Sequence, residues 1–163
     1  MAHRHAHGDG HGDGHEPGQA ERVRDVMTPA VTAVRPDASL VEAAELMRTH
    51  DIGDVAVVED SRLLGILTDR DIALRAVAEG VDPLTVSALS VCTPHPVTVG
   101  PDESVDAAVT LMRANAVRRL PVVDDGRPLG MVSIGDLALA RDPGSALADI
   151  SRATPDTWPV QAV

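Results

Sequence analysis

LLGILTDRDIAL, residues Leu63–Leu74, returns sixty-five positions later as PLGMVSIGDLAL, residues Pro128–Leu139. The same offset holds back to Thr28 and Thr93, so residues 28–74 repeat as 93–139 without a gap and with roughly two positions in five identical. Chance similarity does not keep a single offset over that length, even in a composition-biased chain. The chain is a tandem repeat, and its fold is that of the repeated unit taken twice.

Periodicity orders the elements inside the unit. Residues 31–34 suit a short strand, after which Pro36-Asp37 turns the chain into a helix bearing Leu40, Ala43, Ala44 and Met47 at i, i+3, i+4 and i+7. Ser39 and Glu42 have the spacing of a capping box at its start. Residues 55–58 and 63–67 are apolar and rich in branched side chains, and the turn residues 59–62 between them make a hairpin. Thr68-Asp69-Arg70-Asp71 then opens a second helix carrying Ile72, Leu74 and Val77. The second copy predicts strands at 97–99, 120–123 and 129–132, with helices at 105–114 and from about Gly135. The expected architecture is α+β: two β-α-β-β-α units related by a pseudo-two-fold axis.

Composition bounds the rest. Of 163 residues 44% are hydrophobic, yet Phe and Tyr are absent and Trp158 is the only aromatic residue, so the core must be aliphatic with Met. A unit near sixty residues buries too little surface to be comfortably stable, so the two copies are expected to share one core. A formal charge of −11 argues against a sequence-independent grip on DNA, RNA or anionic lipid, which requires a basic surface. A lone Cys92 makes neither an intramolecular disulfide nor a Cys-based zinc site. No stretch is long and apolar enough to span a membrane and no apolar signal core opens the sequence, so a cytoplasmic location is expected.

Residues 1–19 are His, Gly and Asp with almost no apolar side chains, and a mobile tail is predicted there. The first repeat is assigned to 20–81 and the second to 82–142. An extension at 143–163, rich in Gly, Ser, Pro and Ala, carries a short helix predicted at 145–150.

These residues resemble the CBS domain, a family found as tandem pairs that bind adenosine-containing ligands. The resemblance covers about 23–140. It is carried by DVMTP (Asp25 to Pro29), VRRLPVVDD (Val117 to Asp125) and LLGILTDRDI (Leu63 to Ile72). With DIGDVAVV at 51–58, the chain is also similar to the small stand-alone CBS-pair proteins of bacteria, hypoxic-response proteins among them.

The chemistry centres on Thr68 with Asp71 and on Ser133 with Asp136, where the last strand of each unit meets its second helix. A carboxylate at a helix start can accept both hydroxyls of a ribose, while the hydroxyl three residues earlier and free backbone N–H groups suit phosphate oxygens. The same residues satisfy the S/T-x-x-D capping pattern without any ligand, and both roles can coexist. The resemblance implies phosphate contacts from Arg118 and Arg119 and points to Arg70 facing the cleft; a solvated charged edge is the alternative. Gly53 and Asp54 replace the two arginines in the first copy, so the two sites are not equivalent. The base is expected near Thr28 and Val31 in one copy and near Thr93 and Pro96 in the other. Adenine would be held there by aliphatic contacts and backbone hydrogen bonds, since the repeats lack aromatic residues.

Met47 and Met112 read as core or dimer-face residues, Cys92 as a buried small hydrophobe, and His50 and His95 as structural. Asp124-Asp125 reads as turn rather than acid–base machinery. His3, His5, His7, His11 and His15, with Asp9 and Asp13, could bind Ni²⁺, Cu²⁺ or Zn²⁺, although a Gly-rich segment does not fix coordination geometry.

The sequence therefore predicts a non-enzymatic, regulatory CBS pair that signals, as in a stress response. It senses an adenosyl ligand (AMP, ADP, ATP, NAD(H) or S-adenosylmethionine) with no obligatory cofactor, forms a homodimer through its helices and acts on an unknown effector protein. Neither nucleic acid nor membrane is an expected partner. A ligand-independent dimeric interaction module and a metal-responsive protein using the His-rich tail are the alternatives.

Overall fold

The computed structural model describes residues 22–153. Helix α1 (Val23–Val26) leads into β1 (Thr28–Pro29), β2 (Ala33–Val34), α2 (Leu40–His50), β3 (Asp54–Glu59) and β4 (Arg62–Thr68). Helix α3 (Asp69–Ile72) follows and continues as a π-helical turn at Ala73–Val77. The second copy gives α4 (Ala88–Val91), β5 (Thr93–Pro94), α5 (Val105–Asn115), β6 (Arg119–Asp124), β7 (Arg127–Ser133) and α6 (Ile134–Arg141), and α7 (Ala146–Arg152) follows. The two hairpins, β3 with β4 and β6 with β7, are antiparallel, and their registers shift at equivalent places, Val57/Val58 and Val122/Val123.

The lead segment of each copy crosses to the other copy's sheet. β1 pairs with β7 (Thr28 opposite Met131, Pro29 opposite Gly130), and β5 pairs with β4 (Thr93 opposite Ile66, Pro94 opposite Gly65). The sheets accordingly run β1-β7-β6 and β2-β3-β4-β5. Helix α1 is tied in by backbone bonds from Val23 N to the Glu103 oxygen (2.9 Å) and from Arg24 N to the Pro101 oxygen (3.0 Å). The equivalent bonds of α4 run from Ala88 N to the Ala38 oxygen (2.7 Å) and from Leu89 N to the Pro36 oxygen (3.1 Å).

This exchange corrects the expectation of one shared core. One cluster gathers Leu40, Ala43, Met47, Val55, Val57 and Leu67 around Ala88, Val91 and Cys92 of the crossing segment; the other gathers Val105, Ala108, Met112, Leu120, Val122 and Val132 around Val23. A unit too small to close its own core closes it with a borrowed helix. Fully burying a valine such as Val23 contributes about 2 kcal/mol. Glycine makes the crossing sterically feasible. A Cβ on Gly65 would fall 2.5 Å from Cys92 Sγ and 2.8 Å from the Thr93 carbonyl oxygen; one on Gly130 would overlap the Thr28 carbonyl oxygen and lie 3.0 Å from Met27 Sδ.

The predicted stripe on α2 holds for Leu40, Ala43 and Met47, whereas Ala44 is exposed. Ser39 Oγ accepts from Glu42 N at 3.1 Å, the backbone half of the box. The strand expected at 97–99 is reduced to one parallel bridge, Val99 to Val122. Pro96 and Gly100 stand where the first copy has Val31 and Arg35, which removes a backbone donor and adds a flexible residue. The predicted extension helix is present as α7, capped by Ser145 and packed on α6. It leaves Leu139 half-buried, while the equivalent Leu74 is 51% exposed.

Non-glycine residues with positive φ fall in matched pairs: Ala30 with His95, Asp51 with Ala116 and Asp60 with Asp125. Asp60-Ser61 and Asp125-Gly126 form the two hairpin turns, both residues left-handed in each. Ala116 ends α5 at φ 52°, where an alanine has no side-chain polar group to compensate the left-handed strain. Ala116→Gly is therefore expected to stabilise the protein by about 0.5–1 kcal/mol, seen as an increased urea midpoint at unchanged slope.

Candidate ligand site

Both polar boxes form in full. In the first, Thr68 Oγ1 accepts from Asp71 N (3.0 Å), while Asp71 Oδ2 accepts from Thr68 N (3.0 Å) and from the Thr68 hydroxyl (2.8 Å). In the second, Ser133 Oγ accepts from Asp136 N (3.2 Å), and Asp136 Oδ2 accepts from Ser133 N and the Ser133 hydroxyl, each at 2.7 Å. The capping role is thus occupied in both, and it uses one carboxylate oxygen of each Asp.

The remaining oxygens differ. Asp71 Oδ1 lies 3.5 Å from Arg75 Nε, and Arg75 Nη1 donates to the Val91 oxygen (2.9 Å) and the Cys92 oxygen (3.3 Å). Arg75 therefore fastens α4 to the first box. Its equivalent in the second copy is Ala140, and among the described residues Asp136 Oδ1 has no hydrogen-bond or ion-pair partner. No described side-chain oxygen or nitrogen is both buried and unpartnered, so the described residues do not seal this oxygen from solvent. Arg75 was not singled out in the sequence reading; its loss at the repeat offset was the available signal.

Cross-strand register sets what lies beside each box. Asp54 is opposite Thr68, and β2 runs parallel to β3 with Ala33 beside Ala56. The parallel pairing begins at Ala33, so Val31 lies ahead of it, and the paired row of the first copy is Asp54, Thr68. In the second copy Arg119 is opposite Ser133, the equivalent row, and the single bridge from Val99 to Val122 lies three residues beyond Pro96. Val31 and Pro96 lie in the unpaired stretches that lead to β2 and to the Val99 bridge, while Thr28 and Thr93 are carried onto the other copy's sheet. Arg70 is exposed on α3, and Arg118 is exposed with its carbonyl accepting from Ile134 N at 2.9 Å.

The β3 and β6 members of the two rows meet. Arg119 Nη1 is ion-paired with Asp54 Oδ2, the Asp54 side chain being only 12% exposed. A Cβ on Gly53 would sit 3.1 Å from Asp69 Oδ2 and 3.5 Å from Arg119 Nη1, so Asp54, Asp69 and Arg119 converge at the junction of the two copies. The sequence leaves Arg119 between a phosphate contact and a solvated charged edge; in the structure it is the partner of Asp54, the residue at its own place in the first copy.

Cys92 is a free, buried thiol whose pKa is raised above its usual value, first by desolvation and then by the Asp71 charge, with Arg75 opposing. The protonated, uncharged form is the one the fold accommodates, which makes Cys92 a poor nucleophile in the native state. A raised folded-state pKa contributes stability that is complete below the unfolded thiol's pKa and is lost as pH rises through the folded value. All fourteen Lys+Arg residues are Arg and Tyr is absent, so Cys92 is the one side chain whose ordinary titration falls in the alkaline window below the arginine range. Stability is expected to fall with pH across that window in the wild type and to stay flat in Cys92→Ala, measured by urea unfolding at each pH.

His50 and His95 are exposed and adjoin no other potential metal ligand in sufficient number: among the described residues no group of three or more His, Cys, Asp or Glu could hold an ion. His3, His5, His7, His11 and His15 lie outside the described residues, as does Trp158. No helix among the described residues is long and apolar enough to cross a membrane.

Two copies of one α+β unit, exchanging lead segments about a pseudo-two-fold axis and each ending in an S/T-x-x-D box, define a CBS pair. The CBS domain family model matches residues 23–77 and 86–142, and the chain belongs to that family. It is 43% identical over 133 residues to the CBS domain-containing protein YhcV of Bacillus subtilis (79% of this chain, 94% of that one). It is 38% identical over 116 residues to hypoxic response protein 1 of Mycobacterium tuberculosis (71% of this chain, 81% of that one). A crystal structure of hypoxic response protein I with two coordinated zinc ions superposes with a TM-score of 0.67 at 37% identity, covering 72% of this chain and 97% of that one. The CBS domain pair of protein MJ0100, in complex with 5′-methylthioadenosine and S-adenosyl-L-methionine, gives a TM-score of 0.67 at 27% identity (75% and 96% covered).

Proposed function

We propose that this CBS pair is a regulatory protein that binds an adenosine-containing ligand beside the second box and passes the signal to a partner protein. The observation that carries the reading is Asp136: a carboxylate fixed at a helix start by its own cap, with its other oxygen open to accept ribose hydroxyls. Ser133 borders it, and the N-terminal end of α6 adds the positive potential of a helix start for the ligand. The MJ0100 pair, bound to two adenosyl compounds, is consistent with this ligand class. Binding shifts the population between arrangements of the two copies, and the change is read on the helical face. Leu74 and Val77, 51% and 66% exposed, supply an apolar surface for a homodimer through that face.

The ligand-independent interaction module is favoured by a different observation, the completeness of both caps and of the Arg119–Asp54 pair without any ligand. Calorimetric titration of nucleotide-stripped protein with adenosine, AMP, ATP, NADH and S-adenosylmethionine separates the two. Saturable binding of at least one is expected. No heat and no thermal shift with any of them, in protein shown to be folded, would leave the interaction module standing.

A further inference from the structure

We infer that Asp54 sets the charge selectivity of the second site, so that the cleft takes an adenosyl ligand whose 5′ substituent bears no negative charge. This rests on the sensor reading above and adds the ligand subclass to it. The cation best placed for a phosphate is Arg119, because it is the cross-strand neighbour of Ser133. Its guanidinium is committed instead to Asp54, which sits on the first copy's row and is largely shielded from solvent. Asp69, on the other side of Gly53, adds a second carboxylate near the same guanidinium.

An incoming phosphate must therefore displace Asp54 from Arg119 and then sit close to two carboxylates. The first step forfeits a charge-assisted pair, and the second adds like-charge repulsion in a partly desolvated junction. A neutral thioether or hydroxyl at the 5′ position meets neither cost, and a cationic sulfonium is attracted by the same carboxylates. Arg118 is exposed, and its charge is screened by solvent. The net charge of −11 works in the same direction over longer range.

The test is a comparison of adenosine with AMP by calorimetry in the wild type, Asp54→Asn, Arg119→Gln and the double variant, at low and at physiological salt. The wild type is expected to bind adenosine at least as tightly as AMP. Asp54→Asn is expected to tighten AMP by about tenfold, the worth of one released charged hydrogen bond, while leaving adenosine within about twofold. That gain should vanish in the Arg119→Gln background, because it passes through the freed guanidinium. A wild type preferring AMP by more than about tenfold, an unchanged AMP-to-adenosine ratio in Asp54→Asn, or a gain that survives Arg119→Gln would each overturn the inference alone. If no variant binds adenosine, AMP or S-adenosylmethionine, and the wild type gives no heat with ATP or NADH either, the sensor reading itself fails.

Discussion

Gly130→Ala is expected to lower stability by about 3 kcal/mol, the upper part of the overpacking range, and to loosen the β1 crossing before the rest of the fold. The added Cβ meets the Thr28 carbonyl oxygen, which cannot swing aside as a side chain would because Thr28 is held opposite Met131. The chain must either widen the β1–β7 spacing or release β1. Release also frees α1 and exposes Val23, which is fully buried in the second core. Urea unfolding gives the size of the loss, and amide exchange at Val23, Met27 and Ala30 tells whether the segment has detached. Two controls fix the cause. Gly135→Ala meets chiefly the Ser151 hydroxyl, a group that can rotate away, and Gly100→Ala meets nothing closer than 3.4 Å, so both are expected to cost much less. Equal losses at Gly100 and Gly130 would show a generic glycine effect and remove the steric argument.

The contrast between Gly130 and the helices shows which parts of this fold a sequence can reveal. α2 and α5 were legible because a buried stripe leaves a 3.6-residue period, and the hairpins because each has two apolar runs around a left-handed turn. β1 and β5 are two residues long, which is too short for any period, and whether such a strand pairs within its own copy or across depends on distances no spacing encodes. The glycines before each box are a case in point. They look like room for a ligand, but the atoms they make room for are the crossing chain's own. The boxes themselves were readable because a cap is a local contact over three residues. The pairing of Arg119 with Asp54 was not legible because the two occupy the same place in different copies; on a pseudo-two-fold axis equivalent positions meet each other. An offset table that shows a charge reversal at such a position is therefore a sign of an inter-copy ion pair as much as of a lost site.

Asp136→Ala is expected to abolish adenosyl-ligand binding, whereas Asp71→Ala weakens the fold and leaves most of the affinity. Two ribose hydroxyls donating to the one open carboxylate oxygen are together worth about 2–4 kcal/mol, so affinity should fall by roughly 30-fold to 1,000-fold when the carboxylate is removed. The same substitution removes a cap, at a cost of about 1 kcal/mol, and the folded fraction must be checked before affinities are compared. Asp71 has less to give a ligand, since its second oxygen faces Arg75, and Arg75 is engaged with the Val91 and Cys92 carbonyls. Its removal takes away the cap and leaves Arg75 held to those carbonyls without its carboxylate partner, which loosens the tie to α4, a stability effect near the first core. Arg75→Ala should reproduce that loss without touching ligand affinity, and Ala140→Arg should place a guanidinium against Asp136 and weaken binding there. Calorimetry with adenosine on these four variants, each with its urea midpoint, measures both columns. Comparable affinity losses for Asp71→Ala and Asp136→Ala would mean that both clefts bind and that the Arg75 tie opens on ligand entry; loss at Asp71 alone would move the site to the first copy.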